Sequence, residues 1–265
     1  MNSGKEFNTA WRRVASTLYQ KTGDSKILGQ VEFDVTEIEK FVSNQRKKGL
    51  KITLTHIFVL ILARALKNEV PEFNTYVRRG KIVQRPTIDV VVSVLQADGS
   101  MGTVKVENAD TLSLKEIEII LGKEIHNSRK GIENNTMQKK DKLSSLPWPL
   151  RSCFFGIYKL ITLKWGLPIP FTGINPNSFG SFIVSNIGTL GLDTGFPALL
   201  PSSNVSFVLL MGGIKKKPVV IDDEIVIRRI MTVTLAIDHR VADASHGGRL
   251  FRFVKQSLQQ PDRLL

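Results

Sequence analysis

The run from Asp89 to Leu95 constrains the fold more than any other stretch, because it is apolar almost without interruption. Its short length and its four valines are typical of a strand, and the lack of alternation predicts a strand that is covered on both faces. The run from Val205 to Met211 is also apolar, and it is followed by Gly212 and Gly213, where another backbone can approach closely. The chain is therefore expected to fold around buried central strands.

The spacing of apolar residues predicts the other strands and the helices. Alternation predicts strands over Leu28–Val35, Ser181–Ser185 and Ile230–Ile237, and hairpins over Val77–Val83 and Val219–Ile227. Helical spacing predicts helices over residues 6–20, from Thr36 to Lys48, over Ile57–Leu66 after Thr55, from Leu114 to about Gly131, and over Leu250–Leu258. Two of these helices begin with the pattern of a capping box, Thr36 with Glu39 and Ser113 with Glu116.

The last predicted strand leads directly into a histidine that is flanked by charged residues, His239. Asp238 precedes it, and Arg240 and Asp243 follow it before a turn rich in serine and glycine. Histidine has the side-chain pKa closest to neutral, so it can accept a proton and return it within one turnover. From the residues alone, a catalytic base and a structural histidine at a strand end are both open readings.

Five segments, in the same order along the chain, resemble the dihydrolipoyl acyltransferases of 2-oxo acid dehydrogenase complexes, which are relatives of chloramphenicol acetyltransferase. Residues 238–243 resemble the family's D-H-R-x-x-D-G signature, residues 181–188 its T-F-T-I-S-N-L-G segment, residues 212–220 its G-G-I-x-K-x-P-V-V segment, and residues 70–74 and 108–117 two further pieces. The resemblance implies a chloramphenicol acetyltransferase-like α/β (α+β) fold, in which helices flank a mixed sheet. It also implies a homotrimer with active sites at the subunit interfaces.

The resemblance implies acyl transfer between a thioester, of coenzyme A or dihydrolipoyl type, and a thiol or other acceptor. His239 is then the general base, and the hydroxyl of Ser185 stabilises the tetrahedral oxyanion. Asp243 pairs with an arginine, Arg12 or Arg13, and fixes the loop. Coenzyme A is the implied acyl carrier and co-substrate, with no metal and no lipoyl group on this chain.

Three departures from the family pattern keep an alternative open, a catalytically weak scaffold or binding protein with the same fold. Ala244 stands where the family signature has glycine, and a β-carbon there costs stability if the backbone needs a positive φ. Residues 98–104 lack the proline of the family's G-L-x-x-P segment. The sequence also shows no lipoyl domain, no component-binding domain and no Ala-Pro linker, so a stand-alone relative is expected.

The 265 residues are expected to form a single catalytic-type domain, because no linker rich in proline, glycine or serine divides them. Residues 133–180 are expected to be a helical addition to the family plan. The addition contains an apolar stripe at helical spacing, formed by Leu150, Phe154, Ile157, Ile161 and Trp165. The stripe is too short and too interrupted by lysines to cross a bilayer. It is compatible with a cover over the substrate channel, a membrane contact, a partner site or packing on the core.

The formal net charge of +13 raises the question of an anionic partner. The basic clusters lack the interleaved aromatic residues that stack on bases, so nucleic acid is an unlikely partner. An anionic protein, a membrane surface or a phosphorylated cofactor remains open, as does a merely solvated basic surface. The one cysteine, Cys153, predicts a free thiol, and the missing signal-peptide pattern predicts the cytoplasm.

Overall fold

The computed structural model describes residues 26–96, 99, 101–129, 147–169, 175–199 and 203–265. The strands are β1 (Lys26–Asp34), β2 (Thr75–Arg78), β3 (Lys81–Gln84), β4 (Val90–Leu95), β5 (Met101–Val106), β6 (Phe182–Asn186), β7 (Phe207–Ile221) and β8 (Glu224–Asp238). The α-helices are α1 (Thr36–Lys47), α2 (Leu54–Asn68), α3 (Leu114–Arg129), α4 (Trp148–Tyr158) and α5 (Ala244–Gln259). Helix α4 continues as a π-helical turn over Lys159–Lys164, and short 3-10 turns cover Pro71–Asn74, Ile187–Leu190 and Pro261–Leu264.

Six strands form one mixed sheet in the order β1-β8-β7-β6-β4-β5. Strand β6 is parallel to both of its neighbours, β4 and β7, and every other pair in the sheet is antiparallel. Strands β2 and β3 form the predicted hairpin as a separate two-stranded sheet. The predicted mixed sheet with flanking helices is confirmed, and so is the long hairpin β7–β8, which turns at residues 222–223.

The main hydrophobic core lies between one face of the sheet and the helices. Alternate strand residues such as Val92, Val184 and Leu209 pack there against α2, which is buried continuously from His56 to Ala63. The opposite face carries a smaller cluster of Val91, Ile183, Val205 and Val208. Strand β4 therefore has buried residues on both faces, as its uninterrupted apolar run predicts.

The predicted capping boxes have different outcomes. Ser113 and Glu116 form one, because the Glu116 carboxylate accepts from Ser113 N at 2.8 Å and the Ser113 hydroxyl accepts from Glu116 N at 3.3 Å. The Thr36 prediction is wrong. Glu39 instead binds the Arg229 guanidinium through two bonds of 2.7 and 3.0 Å, and the Thr36 hydroxyl accepts from Arg229 N. A bidentate charge-assisted pair is stronger than a neutral cap bond, so Glu39 pairs with the Arg229 guanidinium and does not cap the helix.

The described part of the added segment, residues 147–169, presents apolar side chains to solvent. Leu150, Phe154, Ile157 and Trp165 are all exposed, at 59, 41, 52 and 49%. Backbone bonds hold the end of the segment against the β2–β3 hairpin, because Arg79 N donates to the carbonyl oxygen of Lys164 at 3.0 Å. Four residues of the stripe are therefore exposed, which contradicts packing on the core for these four, whereas Ile161 is half-buried.

The remaining expectations for this region have mixed outcomes. Cys153 is exposed and free, as predicted. The helix predicted over residues 6–20, with Arg12 and Arg13, lies outside the described residues, as do residues 133–146 and 170–174 of the added segment. Within the described ranges, no helix has both the length and the hydropathy needed to cross a membrane.

Candidate active site

His239 lies in the tight turn that joins β8 to α5. The carbonyl of Asp238 accepts from Val241 N at 3.1 Å and from Ala242 N at 3.3 Å, which closes the turn. The side chain of His239 is 52% exposed. The structure therefore presents this imidazole to solvent, at the edge of the sheet where β8 ends.

Two acceptors face the same ring nitrogen of His239. Its Nδ1 lies 3.2 Å from the carbonyl oxygen of Ala242 and 3.1 Å from the carboxylate Oδ1 of Asp243. Because neither oxygen can donate, these contacts favour the tautomer that carries its proton on Nδ1. The lone pair of Nε2 is then available to accept a proton, which is the protonation state that a general base needs.

Asp243 also caps helix α5. Its carboxylate accepts from the backbone N–H of His246, and His246 Nδ1 accepts from Asp243 N at 3.0 Å, so the two residues form a capping box. Ala244 follows as the first residue of α5 and is not among the residues with positive φ. A β-carbon is therefore tolerated where the family signature has glycine, and this departure does not displace the histidine.

Asp238 and Arg240 brace the turn around His239. The buried carboxylate of Asp238 accepts from Arg240 Nη2 at 2.6 Å and from Arg240 Nε at 2.9 Å. Hydrogen bonding to this carboxylate raises the pKa of the Arg240 guanidinium above its usual range. The pair keeps the turn closed, while the predicted partners of Asp243, Arg12 and Arg13, lie outside the described residues.

Ser185 lies near the end of β6, on the sheet face opposite the helices, and is only 8% exposed. The sheet register shows how far it is from His239. Ser206 N donates to the Ser181 carbonyl and Asp238 N donates to the Ser206 carbonyl, so the His239 turn adjoins the beginning of β6. Ser185 is four residues beyond Ser181 along β6, which is about 13 Å, and β6 is two strands away from β8, which adds about 10 Å across the sheet. One chain therefore does not bring Ser185 and His239 together.

Each end of β6 has its own cleft. The cleft at the end of β6 has a volume of about 450 Å³ and is lined by Asn186, the residue after Ser185, by His56 and by mainly apolar or neutral side chains. The cleft beside the His239 turn has a volume of about 590 Å³ and is lined by Arg240 and three other cationic side chains. Within the described residues, no group of three His, Cys, Asp or Glu side chains is placed to hold a metal.

His56 is a residue that sequence reasoning missed. It is 5% exposed, and burial, followed by the charge of Arg46, lowers its pKa from 6.5 to about 4. Its Nδ1 accepts from Thr53 N at 3.2 Å, so His56 caps α2 as a neutral imidazole. The signal was available in the sequence, because Thr53 and His56 have the same spacing as Asp243 and His246.

The profile of a known protein family, 2-oxoacid dehydrogenases acyltransferase (catalytic domain), matches residues 5–145 and 175–265. The unmatched residues 146–174 fall inside residues 133–180, the segment expected to be an addition, whereas both ends of that segment are matched. Among curated proteins, the succinyltransferase component of the Saccharomyces cerevisiae 2-oxoglutarate dehydrogenase complex is 26% identical over 220 residues, 83% of this chain and 38% of that protein. The lipoamide acyltransferase component of the Bacillus subtilis branched-chain alpha-keto acid dehydrogenase complex is 26% identical over 238 residues, 88% of this chain and 46% of that protein. The chain thus spans less than half the length of these relatives.

Solved structures show the same fold. A probable dihydrolipoamide acetyltransferase from Listeria monocytogenes has a TM-score of 0.65 at 21% identity and covers 96% of this chain and 93% of its own. The cubic core of the pyruvate dehydrogenase multienzyme complex also has a TM-score of 0.65, at 16% identity, covering 91% of this chain and 84% of its own. The mixed sheet flanked by helices is therefore the fold of these acyltransferase domains.

Proposed function

The chain belongs to the 2-oxoacid dehydrogenase acyltransferase family, in its catalytic domain, and we propose that it moves an acyl group from a thioester to a thiol. The observation that carries the proposal is the setting of His239, whose Nδ1 faces two oxygens and whose Nε2 is left as a proton acceptor. The proposed thioester is of coenzyme A or dihydrolipoyl type, with coenzyme A as the acyl carrier. No metal takes part in the proposed reaction.

His239 Nε2 takes the proton of the acceptor thiol as the sulfur attacks the thioester carbonyl. A bond forms between sulfur and carbon, and the carbonyl oxygen becomes an oxyanion, which the Ser185 hydroxyl stabilises by donating a hydrogen bond. The tetrahedral intermediate then expels the original thiolate, which recovers the proton from His239. The Asp243 carboxylate, 3.1 Å from Nδ1, stabilises the imidazolium that exists between these steps.

We propose that the site is completed between subunits. Within one chain His239 and Ser185 lie at opposite ends of β6, so the two halves meet only if a neighbouring copy supplies one of them. A contact between different surfaces of identical chains closes into a ring, and a homotrimer is the proposed ring. The cytoplasm is the proposed compartment.

The setting of Ala244 bears on the alternative of a weakly active scaffold. One of the three departures behind that alternative is the replacement of the family glycine, and it would matter at a position requiring positive φ, whereas Ala244 is an ordinary first residue of α5. The missing proline in residues 98–104 still distinguishes this chain from the family pattern. Activity is therefore the favoured reading, and it is tested directly.

The deciding experiment is a thiol-release assay with a panel of acyl-coenzyme A donors and dihydrolipoamide as acceptor. We expect release that requires both substrates and that disappears in His239→Ala. His126→Ala is the matched control, because His126 is an exposed histidine on α3, outside both clefts. If no donor gives release above the uncatalysed rate, the scaffold alternative is correct.

A further inference from the structure

The cleft beside the His239 turn is lined by positively charged side chains. Four of the described residues that line it are cationic, Arg79, Lys159, Lys164 and Arg240, and none of the described lining residues carries a carboxylate. The Arg240 guanidinium is already paired with Asp238, so Arg79 and the two lysines supply the charge that remains for a ligand. The cleft at the other end of β6 has no lysine or arginine among the lining residues that the structure describes. A concave site surrounded by charge of one sign concentrates ligands of the opposite sign.

A buried donor in the same cleft also lacks a partner. Asn204 lines the cleft and is 8% exposed, and its Nδ2 makes no hydrogen bond to any described group. The Asn204 carbonyl oxygen is already held by the buried guanidinium of Arg85, so the residue is fixed in place. A buried amide without an acceptor is destabilising, and an oxyanion in the cleft offers such an acceptor.

The two walls of the cleft are joined to each other. Arg79 N donates to the carbonyl oxygen of Lys164 at 3.0 Å, and Arg78 Nε donates to the carbonyl oxygen of Trp165 at 3.1 Å. Lys159 and Lys164 belong to residues 146–174, which the family profile does not match. The cationic wall is therefore an addition of this chain to the family's fold, docked onto the β2–β3 hairpin.

We propose that this cleft binds an oxyanion at one end of the substrate, which makes the enzyme selective for anionic substrates. The inference rests on the proposed acyl transfer, because the cleft adjoins the reacting site through Arg240, the residue after His239. Two sources supply the same chemistry, a carboxylate at the far end of the acyl group or a phosphate on its carrier. Lysine and arginine bind both through charge-assisted hydrogen bonds.

The kinetic test compares Lys159→Gln/Lys164→Gln with Lys81→Gln/Lys216→Gln, a control that removes the same charge from exposed positions outside the cleft. Each protein is assayed with acetyl and succinyl thioesters, on coenzyme A and on phosphate-free N-acetylcysteamine. We expect the cleft variant to raise KM about tenfold for substrates that bear the bound oxyanion, with kcat little changed, since one lost charged contact is of that order.

The pattern identifies the source. If KM rises for both succinyl substrates and for neither acetyl substrate, the bound group is the acyl carboxylate. If KM rises for both coenzyme A substrates and for neither N-acetylcysteamine substrate, the bound group is the carrier phosphate. A rise with all anionic substrates assigns both. Three results would overturn the proposal. They are a KM that is unchanged for every substrate, the same change in KM in the control variant, and an equal rise in KM that includes acetyl-N-acetylcysteamine.

A binding measurement separates this inference from the proposed function. Trp165 lines the cleft and is 49% exposed, so its fluorescence reports on occupancy. We expect a saturable change with inorganic pyrophosphate or succinate that is weakened in the lysine variant, kept in the control and absent in Trp165→Phe. A saturable fluorescence change in a protein without turnover would support anion binding in the cleft and contradict the proposed acyl transfer. No fluorescence change in an active enzyme would contradict anion binding and leave acyl transfer standing.

Discussion

The two ends of β6 carry different halves of the proposed chemistry. At the beginning of β6, His239 stands in an exposed turn, braced by the pair of Asp238 and Arg240, beside a cationic cleft. At the end of β6, Ser185 is buried within the sheet, and the cleft at that end, which Asn186 lines, has no lysine or arginine among its described lining residues. A base that exchanges protons with substrate is placed on a short turn, whereas an oxyanion donor, which must stay fixed, is built into a strand.

A shared capping device makes the contrast sharper. A histidine at the third helical position caps α5 at one end and α2 at the other, as His246 and His56. His246 lies 3.6 Å from the carboxylate of Glu72, whereas His56 is buried and is kept neutral by its surroundings. The same local pattern therefore places a histidine beside a carboxylate at the His239 end and a buried, neutral histidine at the other end.

The largest expected effect tests the role of the exposed turn. His239→Ala should lower kcat by about 10²- to 10⁴-fold, since the variant lacks the group that moves the proton. The melting temperature should change little, because the side chain is 52% exposed and the pair of Asp238 and Arg240 still closes the turn. Steady-state kinetics and thermal unfolding check both statements, and turnover at the wild-type level contradicts the assignment of His239 as base.

Ser185→Ala tests the buried end. It should lower kcat by about 10²-fold or more with KM little changed, since the lost hydrogen bond acts on the oxyanion of the transition state. Ser93→Ala is the matched control, because Ser93 lines the cleft at the same end from β4 and has no proposed chemical role. An effect confined to KM, or an equal effect in both variants, removes the oxyanion role from Ser185.

The neutral state of His56 gives a prediction about pH and stability. Its pKa is about 4 in the folded chain against 6.5 for the unfolded one, so the unfolded chain binds more protons between these values. The free energy of unfolding should therefore fall as the pH drops from 6.5 to 4, by about 3 kcal/mol from this residue. Urea unfolding across this range should show a weaker pH dependence in His56→Gln. Identical dependences would mean that His56 is not held neutral, and the contrast between the two ends would fail.

Local parts of this arrangement were predictable from the sequence and long-range parts were not. The Ser113–Glu116 box and the β4 strand depend on neighbouring residues, and both are as predicted. The Thr36 box failed because Arg229, far away in sequence, lies beside it across the fold. The residue types at the site were identified by resemblance. Their separation depends on the pairing of β6 with β7 and of β7 with β8, which no local pattern encodes.

Mixing the two catalytic variants tests whether the separated halves meet between chains. If each site takes His239 from one subunit and Ser185 from its neighbour, random reassembly of His239→Ala with Ser185→Ala leaves about a quarter of the sites intact. Activity should recover to about a quarter of the wild-type value. Sedimentation equilibrium at moderate salt, which screens the net charge of +13, should show a trimer. A fully active monomer, or a mixture without recovery, would mean that one chain builds its site alone.

The smallest expected change in stability concerns the added segment at the His239 end. Leu150→Ser/Ile157→Ser should alter the free energy of unfolding by no more than about 0.5 kcal/mol per site, because both side chains are exposed, at 59 and 52%. The stripe carries no acidic residue from Trp148 to Lys164, so we expect this variant to lose affinity for vesicles that contain phosphatidylserine.

Ile225→Ser/Ile227→Ser is the matched control for that experiment, since these isoleucines are exposed at 77 and 73% on the β7–β8 hairpin, away from the added segment. Equal vesicle binding by both variants and the wild type would show that the apolar stripe does not contact lipid. A large loss of stability in the Leu150/Ile157 variant alone would mean that the stripe is covered in the assembled protein. In the proposed trimer the cover would be a neighbouring subunit, because both side chains are exposed in the single chain. That result would extend the proposed interface from the two catalytic halves to residues 147–169.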